Sequence, residues 1–291
     1  MKIMERTYIC ANGVREKTRY AVPDRARPRG KRTKGKTSHR KQEQNFNMAL
    51  RRAARILNCN FTPEDGLLLT LDFDQSGMQK ILQKAGTGTE LPAVSAPMLK
   101  KQGTHPQTEE LFAADRALHK PEPDMEQASE AVREAAKHEI MLYLRRLKRK
   151  SPEVGKYFGV VSDLDGQTGE LVRVHGHLVL QAGGTSWDRL RGLWTLGSVD
   201  IRPLRHQLDY TPVAVYLLRQ VQRQPDERKY FCSRGMEQPK TEEREVIGRA
   251  KIRVQPGATV LEDYYDAESV CQYVRYVPRA AAKKHGGHKR E

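Results

Sequence analysis

The sequence predicts an α+β protein in which helices cover one face of an antiparallel sheet of about five strands, with basic flexible tails at both ends. Three observations support this class. Short segments in which polar and apolar residues alternate follow one another between residues 66 and 235. Segments with apolar residues at helical spacing lie between them. The two ends of the chain are rich in Lys, Arg and Gly, and such a composition does not bury a core.

The first helix is predicted over residues 45–57, where Phe46, Leu50 and Leu57 recur at helical spacing. Residues 66–74, GLLLTLDFD, then predict a strand with its leucines on one side. The other side of that strand carries Thr70, Asp72 and Asp74. The other side of the helix is basic, and we expect three of its arginines to contact nucleic acid: Arg51, Arg52 and Arg55.

Two adjacent strands are predicted after a long helix that begins at Ser129. Residues 156–165 form the first, and residues 171–181, LVRVHGHLVLQ, form the second, so the pair predicts a β-hairpin. Side chains alternate between the faces of a strand. His175 and His177 therefore leave the same face, about 6–7 Å apart, which is half of a metal site.

The third ligand of such a site is expected on the first strand of this hairpin. The alternation of residues 156–165 predicts Phe158, Val160 and Leu164 on the buried side and Asp163 and Asp165 on the opposite one. Both carboxylates qualify by this criterion. Two imidazoles, one carboxylate and open positions suit Mg or Mn, and Zn would also bind such ligands.

A later helix, beginning at Thr211, carries a tyrosine outside its apolar row. Near a metal ion, Tyr216 would act as a phenolate nucleophile, and arginine neighbours would favour its ionised form and hold a phosphate oxygen. The residues at spacings of three, four and seven from Tyr216 are Arg219, Gln220 and Arg223. We expect Arg219 to stabilise charge during the reaction and Arg223 to bind nucleic acid.

The charge of the chain favours a polyanionic partner, because 291 residues carry a net charge of +16. Half of this excess lies in residues 24–41, which hold nine Lys or Arg against one Asp. We interpret residues 1–44 as a basic and largely flexible arm. The arm residues expected to bind phosphates are Arg25, Arg27, Arg29, Lys31 and Arg32.

The remaining boundaries follow from composition. Residues 45–240 are predicted to form the main domain, with an inserted loop at 85–125. Residues 241–291 are predicted to form a C-terminal extension with a basic tail. The four cysteines form no CxxC pair, and no apolar run has the length of a membrane span or of a signal peptide. The expected location is therefore a reducing cytoplasm, without membrane contact; a bacterial cell as host is implied by the resemblance described next.

Taken in order, three segments resemble the motifs of the rolling-circle replication initiators of the HUH endonuclease superfamily, single-tyrosine type, from bacterial plasmids, integrated elements or small single-stranded DNA phages. These segments are LLLTLDF, VRVHGHLVL and VAVYLLRQ. The resemblance spans residues 45–239. Gly176 stands where the family usually has a bulky residue, and Arg219 stands where lysine is common.

The resemblance implies a five-stranded, RRM-like antiparallel sheet backed by helices. It also implies a metal-dependent nick in single-stranded DNA at a replication origin, which leaves a 5′-phosphotyrosine and a 3′-OH. His175 and His177 would hold Mg or Mn with Asp163 or Asp165, and Tyr216 would be the nucleophile with Arg219 as its basic helper. A host helicase and polymerase would be partners, and the protein would act as a monomer or weak oligomer.

Two alternatives stay open at this point. The same chemistry serves transposases and conjugative relaxases. A non-catalytic nucleic-acid-binding module would have a similar composition, although such a sheet normally exposes aromatic rings for base stacking. On the polar side of the predicted strands, Tyr157 is the one ring, among His and Asp residues.

Overall fold

The α+β class and the five-stranded antiparallel sheet are confirmed, and a second five-stranded antiparallel sheet is present. The computed structural model describes residues 2–22, 39–86, 130–164, 171–221, 229–247, 251–266 and 271–279. The chain divides into two compact units. The first comprises residues 1–62, 205–212 and 235–291, and the second comprises residues 63–204 and 213–234.

The described part of the chain contains five helices: α1 His39–Asn60, α2 Gln75–Ala85, α3 Glu130–Lys150, α4 Trp187–Gly192 and α5 Thr211–Arg219. Its strands are β1 Lys2–Ile9, β2 Arg15–Val22, β3 Gly66–Asp72, β4 Tyr157–Leu164, β5 Leu171–Gln181, β6 Val199–Pro203, β7 Phe231–Cys232, β8 Lys240–Val246, β9 Thr259–Asp266 and β10 Cys271–Val277. Among the described residues, no helix is both long enough and apolar enough to cross a membrane.

The sheet of the second unit has the strand order β6-β3-β5-β4-β7, so β5 lies at its centre. The predicted hairpin of β4 and β5 is confirmed, and β3 pairs with the other edge of β5. Helices α2, α3 and α4 cover one face of this sheet through a shared apolar core. Helix α5 carries buried residues over the other face, which the sequence had predicted to be open.

Gly176 explains how closely α3 approaches the central strand. A Cβ atom at this position would lie 2.3 Å from Cδ1 of Ile140 on α3. Ile140 is fully buried in the core that α3 shares with Val174 and Leu178 of β5. The absence of a side chain between the two histidines thus lets the helix pack directly on the strand.

The sheet of the first unit has the strand order β8-β1-β2-β10-β9. Residues 2–22 form β1 and β2, so the prediction of a flexible arm over residues 1–44 is wrong for this part, and residues 23–38 lie outside the described residues. The predicted C-terminal extension supplies β8, β9 and β10. Helix α1 groups with this unit, although the sequence had assigned it to the main domain.

Ion pairs inside the first unit explain why its strands tolerate so many charges. Glu5 on β1 is 2% exposed and accepts hydrogen bonds from Arg19 on β2 and Arg244 on β8, both at 2.6 Å. Glu16 on β2 is buried and accepts a 2.6 Å bond from Arg55 of α1. Each buried carboxylate is thereby compensated by a guanidinium group from another element.

Candidate functional site

Two histidines lie on the central strand of the second unit, on the face opposite α3. His175 and His177 are 1% and 0% exposed, and their ring centroids are 4.8 Å apart. In the antiparallel register, His177 faces Thr70 on β3 and Val160 on β4, and His175 faces Asp72 and Ser162. Because residues opposite each other share a face, the prediction that both imidazoles leave the same face is consistent with this register.

The Nδ1 atom of each imidazole contacts an oxygen of the sheet. Nδ1 of His175 lies 2.9 Å from the carbonyl oxygen of Arg173, and Nδ1 of His177 lies 3.0 Å from the hydroxyl oxygen of Thr70. A carbonyl oxygen only accepts hydrogen bonds, so Nδ1 of His175 carries the proton. This fixes the orientation of the His175 ring and leaves its Nε2 atom to act as an acceptor or metal ligand.

Helix α5 places Tyr216 and Gln220 against the Nε2 atoms. The hydroxyl of Tyr216 lies 3.5 Å from Nε2 of His177, and Oε1 of Gln220 lies 3.0 Å from Nε2 of His175. Four residues separate the two side chains, so they share one helix face. That face also lies against β4, where the Ser162 hydroxyl donates a 2.6 Å bond to the carbonyl of Gln220.

Tyr216 is 6% exposed and Gln220 is fully buried. The sequence places Tyr216 outside the apolar row of its helix, in one row with Arg219 and Gln220. In the structure Tyr216 and Gln220 are buried against the histidines, whereas Arg219 is exposed. Both faces of the sheet are covered, so the polar side of α5 that bears Tyr216 and Gln220 points inward toward the histidines. Gln220 is the site residue that the sequence analysis noted without assigning it a role, and its spacing from Tyr216 was the available signal.

The amide of Gln220 has an unused donor. Its Nε2 atom is buried and has no hydrogen-bond partner within the described residues. The oxygen and nitrogen of an amide are assigned from the hydrogen-bond network. Rotated by half a turn, the amide would donate to Nε2 of His175, while in the orientation present its oxygen faces that nitrogen. Gln220 can therefore either donate a hydrogen bond to the His175 imidazole or offer an oxygen ligand beside it.

Asp72 is the carboxylate that the strand register places opposite His175. Burial raises the pKa of its carboxyl group above the ordinary value of 3.8, against the opposing effects of the His175 charge and of a 3.3 Å bond from Ser198. The alternation of β3 had already put Asp72 on the polar side. The pairing of β3 with β5 was the missing information.

The structure corrects the placement of Asp163. Phe158 and Val160 of β4 face Val179 and His177 of β5, so the even positions of β4 lie on the histidine face. A register shift follows between residues 162 and 164, and Asp163 is directed to α3, where Arg133 lies 3.8 Å away. Asp163 thus lies on the opposite face from the histidines. Asp165 lies outside the described residues.

The arginines predicted to contact nucleic acid have different surroundings. Arg55 pairs with Glu16 and stacks at 3.6 Å over the ring of Tyr8, and Arg51 lies 4.0 Å over the ring of Tyr273. These two side chains stabilise the first unit. Arg52 and Arg219 are exposed. The other predicted contacts lie outside the described residues: Arg25, Arg27, Arg29, Lys31, Arg32 and Arg223.

The site offers two imidazole nitrogens as possible ligands of a divalent ion. Within the described residues, no three His, Cys, Asp or Glu side chains cluster closely enough to hold a metal ion. His175 and His177 fit the role of ligands, because their Nδ1 atoms contact oxygens and their Nε2 atoms both face α5. Gln220 supplies the adjacent oxygen. An amide oxygen is a donor that suits Mg or Mn, whereas imidazole nitrogens are donors more typical of Zn and the later transition metals.

Comparison with protein-family models, with curated proteins and with solved structures gave no match to this chain.

Proposed function

We propose that the protein is a metal-dependent endonuclease that nicks and rejoins single-stranded DNA at a replication origin and thereby initiates rolling-circle replication. One observation carries the proposal: the hydroxyl of Tyr216 lies 3.5 Å from Nε2 of His177, beside a second imidazole on the same strand. A tyrosine hydroxyl beside two imidazoles that could hold a metal ion supports phosphodiester transfer through tyrosine.

The proposed reaction exchanges one phosphoester for another. The oxygen of Tyr216 attacks the phosphorus atom, the bond from phosphorus to the 3′-oxygen breaks, and the phenol proton is released to water. The 3′-oxygen takes up a proton and becomes the free 3′-OH that primes synthesis. Rejoining is the reverse reaction, in which a 3′-OH displaces the tyrosine from the 5′-phosphate.

Four side chains support this reaction. His175 and His177 would hold Mg or Mn with the oxygen of Gln220 beside them. The ion, when bound, polarises the phosphodiester and neutralises charge on its oxygens. Arg219 is exposed one helical turn beyond Tyr216, where its guanidinium group contacts the DNA phosphate.

Access to Tyr216 requires α5 to move. Tyr216 is 6% exposed and the two histidines are covered more completely, so a phosphodiester reaches the hydroxyl only when the helix shifts away from the sheet. This shift breaks the polar contacts of Tyr216 and Gln220. It also breaks the packing of buried apolar side chains of α5, among them Leu217 and Leu218. Movements of this kind occur on the microsecond to millisecond scale.

The experiment is an adduct assay on denaturing gels with single-stranded DNA from the cognate element, with Mn or with EDTA. The wild-type protein should form a covalent adduct only with the metal, and Tyr216→Phe should form none while binding the DNA with unchanged affinity. Tyr157→Phe is the matched control, since Tyr157 is a half-buried tyrosine of the same unit, and it should keep the adduct. Binding without any adduct would instead favour a non-catalytic nucleic-acid-binding module.

Deletion of residues 24–38 tests the basic arm separately. Loss of its seven Lys and Arg side chains should flatten the dependence of DNA affinity on salt, because each neutralised phosphate releases counterions. The adduct should still form at saturating DNA. An unchanged salt dependence would remove the arm from the DNA interface.

A further inference from the structure

The C-terminal end of α3 and the short helix α4 form one continuous surface. The guanidinium group of Arg189 donates a 3.4 Å bond to the carbonyl of Lys150, and that of Arg146 donates a 3.4 Å bond to the carbonyl of Leu193. The hydroxyl of the buried Tyr143 donates a 3.0 Å bond to the carbonyl of Leu190. These three bonds tie α4 to the last turns of α3.

This surface carries an excess of exposed cations. Arg149, Lys150, Arg189 and Arg191 are all exposed. Cations at a helix C-terminus are favoured by the helix dipole alone, and Lys148 fits that explanation because its ammonium group bonds the carbonyls of Pro152 and Val154. This bonding does not account for the other cations of α3, and Arg189 and Arg191 belong to α4 rather than to α3.

An exposed indole ring lies among these cations. Trp187 is 43% exposed, whereas Trp194 is 4% exposed and packs in the core. The guanidinium carbon of Arg191 lies 5.7 Å from the centre of the Trp187 ring. A large, partly exposed aromatic ring beside guanidinium groups offers a stacking platform next to a phosphate site.

We propose that this surface binds single-stranded DNA at a second location, distinct from the tyrosine site. We call it the Trp187 surface, and it comprises Arg146, Arg149, Lys150, Trp187, Arg189 and Arg191. Its helices pack on the face of the sheet opposite the histidines, since Leu190, Trp194 and Ile140 belong to the core on that side. A strand bound here is therefore held by a part of the protein that does not contact the reacting phosphodiester.

The ring is the reason to assign a single strand. The bases of a duplex are stacked on each other and offer no free face, whereas an unpaired base can stack on an indole. Two carboxylates, Asp188 and Glu153, lie in the same region, so the charge excess is moderate and the ring contributes much of the expected affinity. An acidic protein partner would use the cations without needing the ring.

The test measures binding of a short oligothymidylate to the Tyr216→Phe protein in EDTA, so that no adduct forms and the result does not depend on nicking. Trp187→Ala should weaken binding roughly tenfold, as expected for the loss of one stacked base. Trp187→Phe should keep most of the affinity. Binding should quench the emission of Trp187, and both variants should lose this signal while the emission of Trp194 shows that the fold is intact.

A charge variant with a matched control completes the test. Replacement of Arg149, Lys150 and Arg191 by Gln should lower the slope of log affinity against log salt by about 2, since each phosphate contact of a single strand contributes about 0.7. The control replaces the same number of cations elsewhere by Gln, in this case three lysines: Lys2, Lys137 and Lys240.

Three results would overturn the proposal. The first is unchanged affinity of Trp187→Ala. The second is an equal loss of slope in the charge variant and its control. The third is tighter binding of a duplex of the same length without quenching of Trp187, which would assign the surface to double-stranded DNA.

Discussion

Replacement of Thr70 by Val tests whether the sheet controls the tautomeric state of the His177 imidazole. The Thr70 hydroxyl lies 3.0 Å from Nδ1 of His177, with Thr70 4% and His177 0% exposed. Valine has nearly the same volume, so no cavity forms and the loss is that of one buried hydrogen bond. A buried polar atom left without its partner costs about 1–3 kcal/mol, and we expect the free energy of unfolding to fall by that amount.

The same substitution should weaken metal binding. When Nδ1 donates to Thr70, Nε2 carries a lone pair, and loss of a partner that orients a metal-binding histidine typically lowers affinity by about 10- to 100-fold. The Mn concentration for half-maximal adduct formation should rise by this factor. Ring-nitrogen NMR shifts should also show a change in the His177 tautomer.

Thr185→Val is the matched control, because its hydroxyl bonds the exposed Glu153 at 3.1 Å and water can replace that bond. It should change neither the metal requirement nor the tautomer. The reasoning would be refuted if Thr70→Val unfolded like the wild-type protein and kept both the wild-type Mn requirement and the wild-type tautomer.

Three further predictions concern stability in urea unfolding. Burial would raise the pKa of Glu5, but hydrogen bonds from two arginines and their charges outweigh it, so the pKa is lowered. The ion pairs should therefore stabilise the protein above pH 4.5, and this stabilisation should be lost on acidification. Glu5→Gln should abolish this loss, and an unchanged loss in the variant would show that the ion pairs of Glu5 contribute nothing to it. The pKa of Asp72 is raised by burial, so its ionisation should destabilise the protein as pH rises above 3.8. Asp72→Asn should therefore be at least as stable as the wild type at pH 7, and a clearly lower free energy of unfolding of the variant at pH 7 would contradict this. Gly77→Ala should destabilise by about 1–3 kcal/mol despite the higher helix propensity of Ala, because the new Cβ would lie 2.2 Å from a backbone oxygen; a gain in stability would show that α2 can shift.

The elements of the second unit were largely predictable because their apolar patterns are strong. The helices α3 and α5 and the strands β3 to β5 lie where periodicity predicts them. The first unit was missed for a physical reason. Strands such as REKTRYAV and KTEEREV are rich in charges that pair with other elements of the unit, and hydrophobic alternation does not reveal a strand stabilised by ion pairs between distant segments.

The site was predictable in its residue types and less so in its geometry. The two histidines and Tyr216 come together as the sequence suggested. The position of Asp163 was not predictable, because the alternation of β4 does not reveal which of its two faces the histidines share, and the register with β5 puts the even positions on that face. The role of Gln220 depends on which side of α5 meets the sheet, and that is decided by packing on both faces.

The contact between Gly176 and Ile140 also constrains how this site can change in evolution. The residue between the two histidines has no side chain because a branched side chain of α3 occupies the space beneath it. A larger residue at position 176 would need a smaller one at position 140, or the helix would have to retreat from the strand. We therefore expect the two positions to vary together in descendants of this chain, with their combined volume preserved.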